Sequence, residues 1–429
     1  MDLNARSSLT APVVQPLTRR IRLNSIWLLL ARLIAQAQLI VFTVLVARSL
    51  GASGFGQYAF VAALIFLGNV ATTFGTDTLL IREVARDRQA TNGLISAALW
   101  IQLLLSVTWL IIVAFGADIL RDQSPEVVLA LKVYGLSLIP LAFYTVFTSL
   151  LRAHERMDVY LLLNVVVAFA QLGGAWLVLQ EQGSLLSLVM MLNVVQFSVA
   201  IVAGVLCRSR LPTFRFHWNV TRSQLISIVR LAWPFALLSV LAVTYQRLGV
   251  LLLSTLATDT QAGWFAAATR VIEPLKMLHF AVLGALLPAL SQLDTPLAQR
   301  QQNHLAAHLF HRSLLFLLTF SMLAAGVSAL LAQPIVQLLF GASYAPSASL
   351  VQLLAASLIP YTISAILSLR LVTQGQERSI LWATALSVTV AFMLNRWLIP
   401  GYGSSGAALA LVGSESFLAL MLLSLRRGC

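Results

Sequence analysis

Stretches of about twenty mainly apolar residues recur along this chain, and no other feature constrains its fold as tightly. Ile26 to Val46, Tyr58 to Leu80 and Leu94 to Phe115 are the first three. At 1.5 Å rise per residue, roughly twenty residues cross the hydrocarbon core of a bilayer. Lipid offers a backbone no hydrogen-bond partner, so each stretch must be helical or shielded by protein. Hydropathy places twelve candidate spans, at about 25–47, 57–80, 93–117, 127–150, 159–180, 185–206, 229–255, 263–290, 309–332, 348–370, 380–399 and 404–425. Gln333-Pro334 breaks the apolar run that ends the ninth. Mean hydropathy is +0.87. Only 10% of residues are charged, against roughly 25% in globular proteins. The reading is an all-α integral membrane protein.

Arginines fix the expected orientation. Those at 19, 20, 22, 82, 86, 88, 152, 156, 208, 210, 215, 222, 300, 312, 370, 378, 426 and 427 fall on one side, leaving little but Arg48 and Arg121 opposite. The positive-inside rule makes both termini cytoplasmic. The net charge of +13 is then an orientation and lipid-surface signal; scattered over short loops, it argues against nucleic acid as partner. Expected organisation is a basic cytoplasmic arm (1–24), a six-helix half (25–207), a cytoplasmic linker (208–228), a second six-helix half (229–425) and a tail (426–429). No signal peptide is read in the arm. Cys207 and Cys429 both fall at cytoplasmic span ends and suggest neither a disulfide nor a metal site. There is no nucleotide fingerprint, and no loop is large enough to carry an active site. The expectation is therefore not an enzyme, with no catalytic residue and no cofactor.

Gly56-x-Tyr58-Ala59, after the first span, matches Gly263-x-Phe265-Ala266, after the seventh. Two halves of like orientation would be related by an axis along the membrane normal, around a central cleft.

The residues that carry a family likeness are Ala47-Arg48-Ser49-Leu50-Gly51 with Gly54-Phe55-Gly56-Gln57-Tyr58, then Phe74-Gly75-Thr76-Asp77 through Arg82-Glu83-Val84-Ala85-Arg86-Asp87. Pro234-Phe235, Tyr245-Gln246-Arg247-Leu248 and Arg270-Val271 extend it into the second half. Together they resemble the Wzx-type polysaccharide-biosynthesis flippases of the multidrug/oligosaccharidyl-lipid/polysaccharide (MOP) exporter superfamily. That family often carries an acidic residue where this chain has Gly249, which puts ion coupling at that position in doubt. The resemblance implies transport of an undecaprenyl-pyrophosphate-linked glycan, an O-antigen or exopolysaccharide repeat unit, across the bacterial inner membrane. It also implies membrane lipids, a polysaccharide polymerase and chain-length machinery as partners.

Ionisable residues inside spans are costly and are functional candidates by default. Arg32, Gln36 and Thr43 share one face of span one, and Arg270, Glu273 and Lys276 step by three along span eight. Counting rises puts Arg247 and Arg270 in the outer half and Arg32 roughly 12 Å from the cytoplasmic end. A cleft lined by Arg32, Arg247, Arg270 and Lys276 suits an anion, because guanidinium meets phosphate oxygens bidentately. The resemblance makes that anion the diphosphate, with Gln36, Asn69, Gln171, Asn193 and Gln196 as glycan contacts. The competing reading pairs the charges internally: Arg270 or Lys276 with Glu273, Arg32 or Arg82 with Asp77. Asp77, Glu273 and Glu415 are candidates for gating or for coupling to H+ or Na+; for Glu415 the alternative is a basic partner. His279, the clearly intramembrane histidine, reads as packed and hydrogen-bonded. Prolines 140, 234, 274, 288 and 360 are placed to bend spans. The competing functions are a MATE-like multidrug exporter, which would favour carboxylates for its cations, and a non-transporting component of a glycan-assembly complex.

Overall fold

The computed structural model describes residues 11–86, 91–116, 124–181, 183–211, 220–293 and 296–427. Arg88, Arg121, Arg215, His217 and Cys429 lie outside the described residues, as do the side chains of Arg19, Arg20, Arg22, Pro288, Arg300, His304, His308, Arg426 and Arg427. Among the described residues there are helices and no strand. In chain order they are α1 (Ala11–Thr73), α2 (Thr76–Arg86), α3 (Thr91–Gly116), α4 (Pro125–Gly135), α5 (Leu138–Ala153), α6 (Met157–Gln180) and α7 (Leu185–Arg210). The second half holds α8 (Arg222–Leu256), α9 (Asp259–Leu293), α10 (Pro296–Leu330), α11 (Ala332–Phe340), α12 (Ser347–Ala355), α13 (Leu358–Thr373) and α14 (Glu377–Arg427).

Two of these helices are hairpins. In α1 the backbone leaves helical geometry at Gly51, whose φ of 68° suits glycine. The Phe42 and Tyr58 rings lie 6.0 Å apart, where a straight helix would hold them about 24 Å apart. In α14 the break is Gly403, φ 55°. A Cβ on Gly413 would come 3.1 Å from Leu394, nineteen residues back. Among the described residues, eight helical stretches, α4–α5 counted as one, are long and apolar enough to cross a membrane, and the pair α12–α13, bent by 41°, makes a ninth. Counting each hairpin twice and adding α9, the legs number twelve, as hydropathy predicts. The protein is a multi-pass membrane protein. The helices overrun the expected spans: α8, α9 and α10 are each 35 residues long. Gln333-Pro334 falls in the first turn of α11, where proline sacrifices no intrahelical bond.

The two halves repeat one another in detail. Ser137-Leu138-Ile139-Pro140 recurs as Ser357-Leu358-Ile359-Pro360, an offset of 220. Both copies break a span, between α4 and α5 and between α12 and α13. Pro140 and Pro360 have no N–H to continue the ladder. The Ser137 hydroxyl donates to the Tyr134 carbonyl at 2.7 Å and the Ser357 hydroxyl to that of Leu354 at 2.6 Å. The spans then end alike: Glu155 (φ 58°) and Gly375 (φ 70°) are both left-handed. Arg156 N–H reaches Leu151 O at 2.9 Å, and Gln376 N–H reaches Leu371 O at 2.8 Å. Earlier in each half the offset is 207, and there the repeats touch. A Cβ on Gly56 would meet the Asp259 carbonyl oxygen at 1.8 Å, and one on Gly263 would meet that of Ala52 at 2.0 Å. The reciprocity puts a two-fold pseudo-axis between these two glycines.

Packing closes one end of the bundle. At the Gly51 end a single core takes Phe42, Val46 and Phe55 from the first half and Leu253, Phe265 and Tyr344 from the second. At the arginine-rich end the halves have separate cores, one around Ile95, Leu150 and Leu163, the other around Leu317, Ile366 and Leu422. A smaller cluster there joins Leu79, Ala97 and Ile101 to Ile228 and Ala232 of α8.

Candidate functional site

Between the halves lies a cavity of about 450 Å³. Its walls follow helical spacing. The second leg of α1 contributes Phe55, Tyr58, Ala59, Ala62, Ala63, Phe66 and Asn69, and the first leg Leu39, Phe42 and Thr43. Tyr134, Ser137 and Leu141 enter at the α4–α5 break, Gln171 from α6, Leu192 and Gln196 from α7. The second half supplies the charge: Arg247 of α8 and Arg270 of α9, with Thr269 beside it. One wall is thus apolar, aromatic and amide; the other is cationic.

Glu273 holds both arginines. Its Oε2 accepts from Arg270 Nη1 at 2.6 Å, and its Oε1 lies 3.5 Å from Arg247 Nη1. The Arg247 guanidinium also sits 5.1 Å over the Phe66 ring, a cation–π contact. Side-chain exposures of 18% and 22% leave both arginines largely out of solvent. The Nε of Arg247 is buried with no hydrogen-bond partner among the described residues.

Lys276 does not join them. Successive steps of three along a helix drift by about 60°, so Arg270 and Lys276 point roughly 120° apart. Lys276 Nζ instead meets Glu415 Oε1 at 3.4 Å and lies 4.4 Å over the Tyr361 ring. The internal repeat explains this place. Asn69, Leu141 and Gln196 line the cavity in the first half. Their counterparts are Lys276, Tyr361 and Ser416, the neighbour of Glu415. The matching site of the second half is occupied by its own ion pair. Below it, buried His279 meets Ser321 at 3.0 Å and Thr362 at 2.8 Å, packed and hydrogen-bonded as expected.

The Gly51 end of the cleft is bolted. Arg48 donates through Nε to the Leu339 carbonyl at 2.8 Å and through Nη2 to that of Leu338, at the C-terminus of α11. The Tyr344 hydroxyl donates to Ala47 O at 3.0 Å and Gln57 Nε2 to Asp259 Oδ2 at 2.9 Å, while within the second half Trp264 Nε1 donates to Ser343 O at 3.1 Å. At the opposite end, Arg156 clasps Asp158 with bonds of 3.1 and 3.0 Å. These bonds hold the Asp158 carboxyl below its ordinary range.

A family model described as "Polysaccharide biosynthesis protein" matches residues 21–294, more than half of the chain. The chain belongs to the polysaccharide biosynthesis protein family. No curated protein matches the sequence. Solved structures of similar fold include a flippase and transporters of the MOP superfamily. The lipid II flippase MurJ, inward closed, is 14% identical at a TM-score of 0.76, covering 94% of this chain and 87% of that one. An inward-facing multidrug resistance MATE family transporter is 16% identical at 0.70, covering 92% and 94%. A MOP superfamily transporter from Pyrococcus furiosus, described by a binding pocket of reverse polarity, is 15% identical at 0.66, covering 95% and 94%.

In this family member only some of the candidate residues meet at the cavity. Arg247, Arg270, Asn69, Gln171 and Gln196 converge on the cavity. Arg32 and Gln36 continue the Leu39–Thr43 face of α1, but Arg32 is exposed and three turns, about 16 Å, below Thr43. Asn193 is 8% exposed and donates to Val133 O at 2.9 Å, so it ties α7 to α4. Asp77 pairs with neither arginine proposed for it. Arg82 binds Glu83 at 2.9 Å and covers Phe235, while Asp77 meets the Thr78 hydroxyl at 3.5 Å. The expected Lys276–Glu273 pairing is replaced by Lys276–Glu415. Gly249 packs against the Phe265 ring, leaving little room for an acidic side chain. Tyr58, Phe66 and Tyr134 line the cavity without having been singled out as site residues from the sequence; Gln38 does not line it, and its amide donates to Gln171 Oε1 at 2.8 Å behind that wall. The spacing of 55, 58, 59, 62, 63, 66 and 69 was the available signal.

Proposed function

We propose that this protein is a flippase for a polyprenyl-pyrophosphate-linked oligosaccharide, an O-antigen or exopolysaccharide repeat unit. It carries the unit from the cytoplasmic to the outer leaflet of the bacterial inner membrane by alternating access. The observation that carries the reading is the pair Arg247 and Arg270, facing aromatic and amide groups across an interhalf cavity. Desolvated guanidinium groups select a phosphate over a drug cation. Amides of Asn69, Gln171 and Gln196 supply hydrogen bonds for sugars without fixed charge, and the Tyr58 and Phe66 rings supply apolar faces. Family membership supports a glycan substrate, and the fold is shared with the lipid II flippase MurJ.

By the positive-inside rule the arginine-rich end faces the cytoplasm, so the bolted Gly51 end faces outward. Substrate then enters past Arg32, the first cation on the cavity face of α1, and moves inward to Arg247 and Arg270. The Ser-Leu-Ile-Pro breaks, one in each half, serve as the hinges of the switch. If coupling to H+ or Na+ uses Glu415, the ion competes with the Lys276 ammonium for that carboxylate.

The test is mass spectrometry of lipid-linked glycans in a strain lacking the protein. Completed repeat units accumulate and are cleared by the wild-type chain but not by Arg270→Ala. Unchanged lipid-linked pools with altered drug efflux would instead establish the multidrug exporter. Full rescue by Arg247→Ala/Arg270→Ala would favour a non-transporting role.

A further inference from the structure

Glu273 is the one carboxylate in contact with the cationic wall among the described residues. Its two oxygens are divided between the two arginines, Oε2 on Arg270 and Oε1 on Arg247. It is also 34% exposed, more open than either arginine it binds. A carboxylate so placed occupies the donors that a phosphate would use. Its hold is partial: the Arg247 contact is long at 3.5 Å, and the Arg247 Nε has no partner among the described residues.

We propose that Glu273 is a built-in competitor for the anionic headgroup, displaced when a diphosphate binds and returning to expel it. The inference rests on the flippase reading. A diphosphate offers more acceptor oxygens and more charge than one carboxylate, so it takes both guanidinium groups bidentately. Glu273 is tethered within reach of both, at an effective concentration in the millimolar range or above for so short a connection. It therefore lowers the affinity without blocking entry. A transporter needs that weakening, since a headgroup held by two desolvated arginines alone would leave slowly. The displaced carboxylate has an alternative partner one turn on, the Lys276 ammonium, three residues along α9. That exchange loosens Lys276 from Glu415, linking the occupied cavity to its counterpart in the second half.

The test measures binding of undecaprenyl diphosphate to purified full-length protein in detergent by tryptophan fluorescence, for wild type, Glu273→Gln, Glu273→Asp and Arg247→Ala/Arg270→Ala. Glu273→Gln is expected to bind about tenfold tighter and to release the lipid correspondingly more slowly. In cells the same variant should deliver less glycan to the surface despite its higher affinity. Glu273→Asp, too short to bridge both arginines, keeps a carboxylate and should tighten binding less; it serves if the glutamine variant does not fold. A residue that only supports the arginines would give the opposite sign, weaker binding on substitution. Equal or weaker binding by both Glu273 variants, with binding abolished by the double arginine variant, overturns the competitor and leaves the flippase reading standing. Binding that is absent, or indifferent to the arginines, overturns both.

Discussion

Replacing Lys276 by methionine keeps most of the side-chain stem but removes the ammonium that faces Glu415 at 3.4 Å. The Glu415 side chain is 5% exposed, so no water replaces the lost partner without rearrangement. Breaking a buried pair by deleting one member typically costs about 3–5 kcal/mol, because the other charge is stranded. Loss of the contact with the Tyr361 ring at 4.4 Å adds to this, by about 0.5–2 kcal/mol. Lys276→Met/Glu415→Gln removes both charges and conserves volume, so it should lie within about 1 kcal/mol of wild type. A double-mutant cycle by denaturant unfolding in lipid–detergent micelles should thus return a coupling of at least about 2 kcal/mol. If Lys276→Met alone lies within about 0.5 kcal/mol of wild type, or the double variant is no better than the single, the pair is not the buried unit argued here.

Gly263→Val places a Cβ where one would lie 2.0 Å from the Ala52 carbonyl oxygen, an overlap that no side-chain rotation relieves. The Gly51 end should then stay open, seen as maleimide labelling of a cysteine at Ala59 from the outside; unchanged protection would refute the close packing of the two hairpins. The Arg156–Asp158 clasp lies on the surface and is screened, so Asp158→Asn should change stability by no more than about 1 kcal/mol. Because Asp158 titrates below 3.8 in the fold, that contribution is complete above this value and fades as pH falls through the lower folded one. A difference between wild type and variant that grows on acidification would contradict the assignment.

The sequence carried more of this than a hydropathy profile suggests. Apolar length locates the legs because lipid leaves the backbone no alternative to helix. Gly56 and Gly263 announce the repeat because only glycine permits two helices to approach at the pseudo-axis. The second repeat, Ser-Leu-Ile-Pro at 137 and 357, was equally visible and is the stronger marker, since it fixes where spans four and ten break. Relative height along the helices was legible for Arg247 and Arg270, which line one cavity, because rise per residue is constant. Azimuth was less so: the 270–273–276 stripe looks like one face but turns through roughly 120°. Contacts between distant helices, such as Lys276 with Glu415 or Arg247 with Phe66, depend on how legs pack, and no local pattern encodes them.

The most direct measurement is flipping itself. Purified protein would be reconstituted into liposomes carrying a fluorescent undecaprenyl-pyrophosphate-linked oligosaccharide, with the outward-exposed fraction scored by an added glycosidase over time. Wild type should expose the inner-leaflet pool and Arg247→Ala/Arg270→Ala should leave it protected, as protein-free liposomes do. Equal exposure by both proteins, or none by either with the lipid bound, would contradict translocation through a cationic cavity.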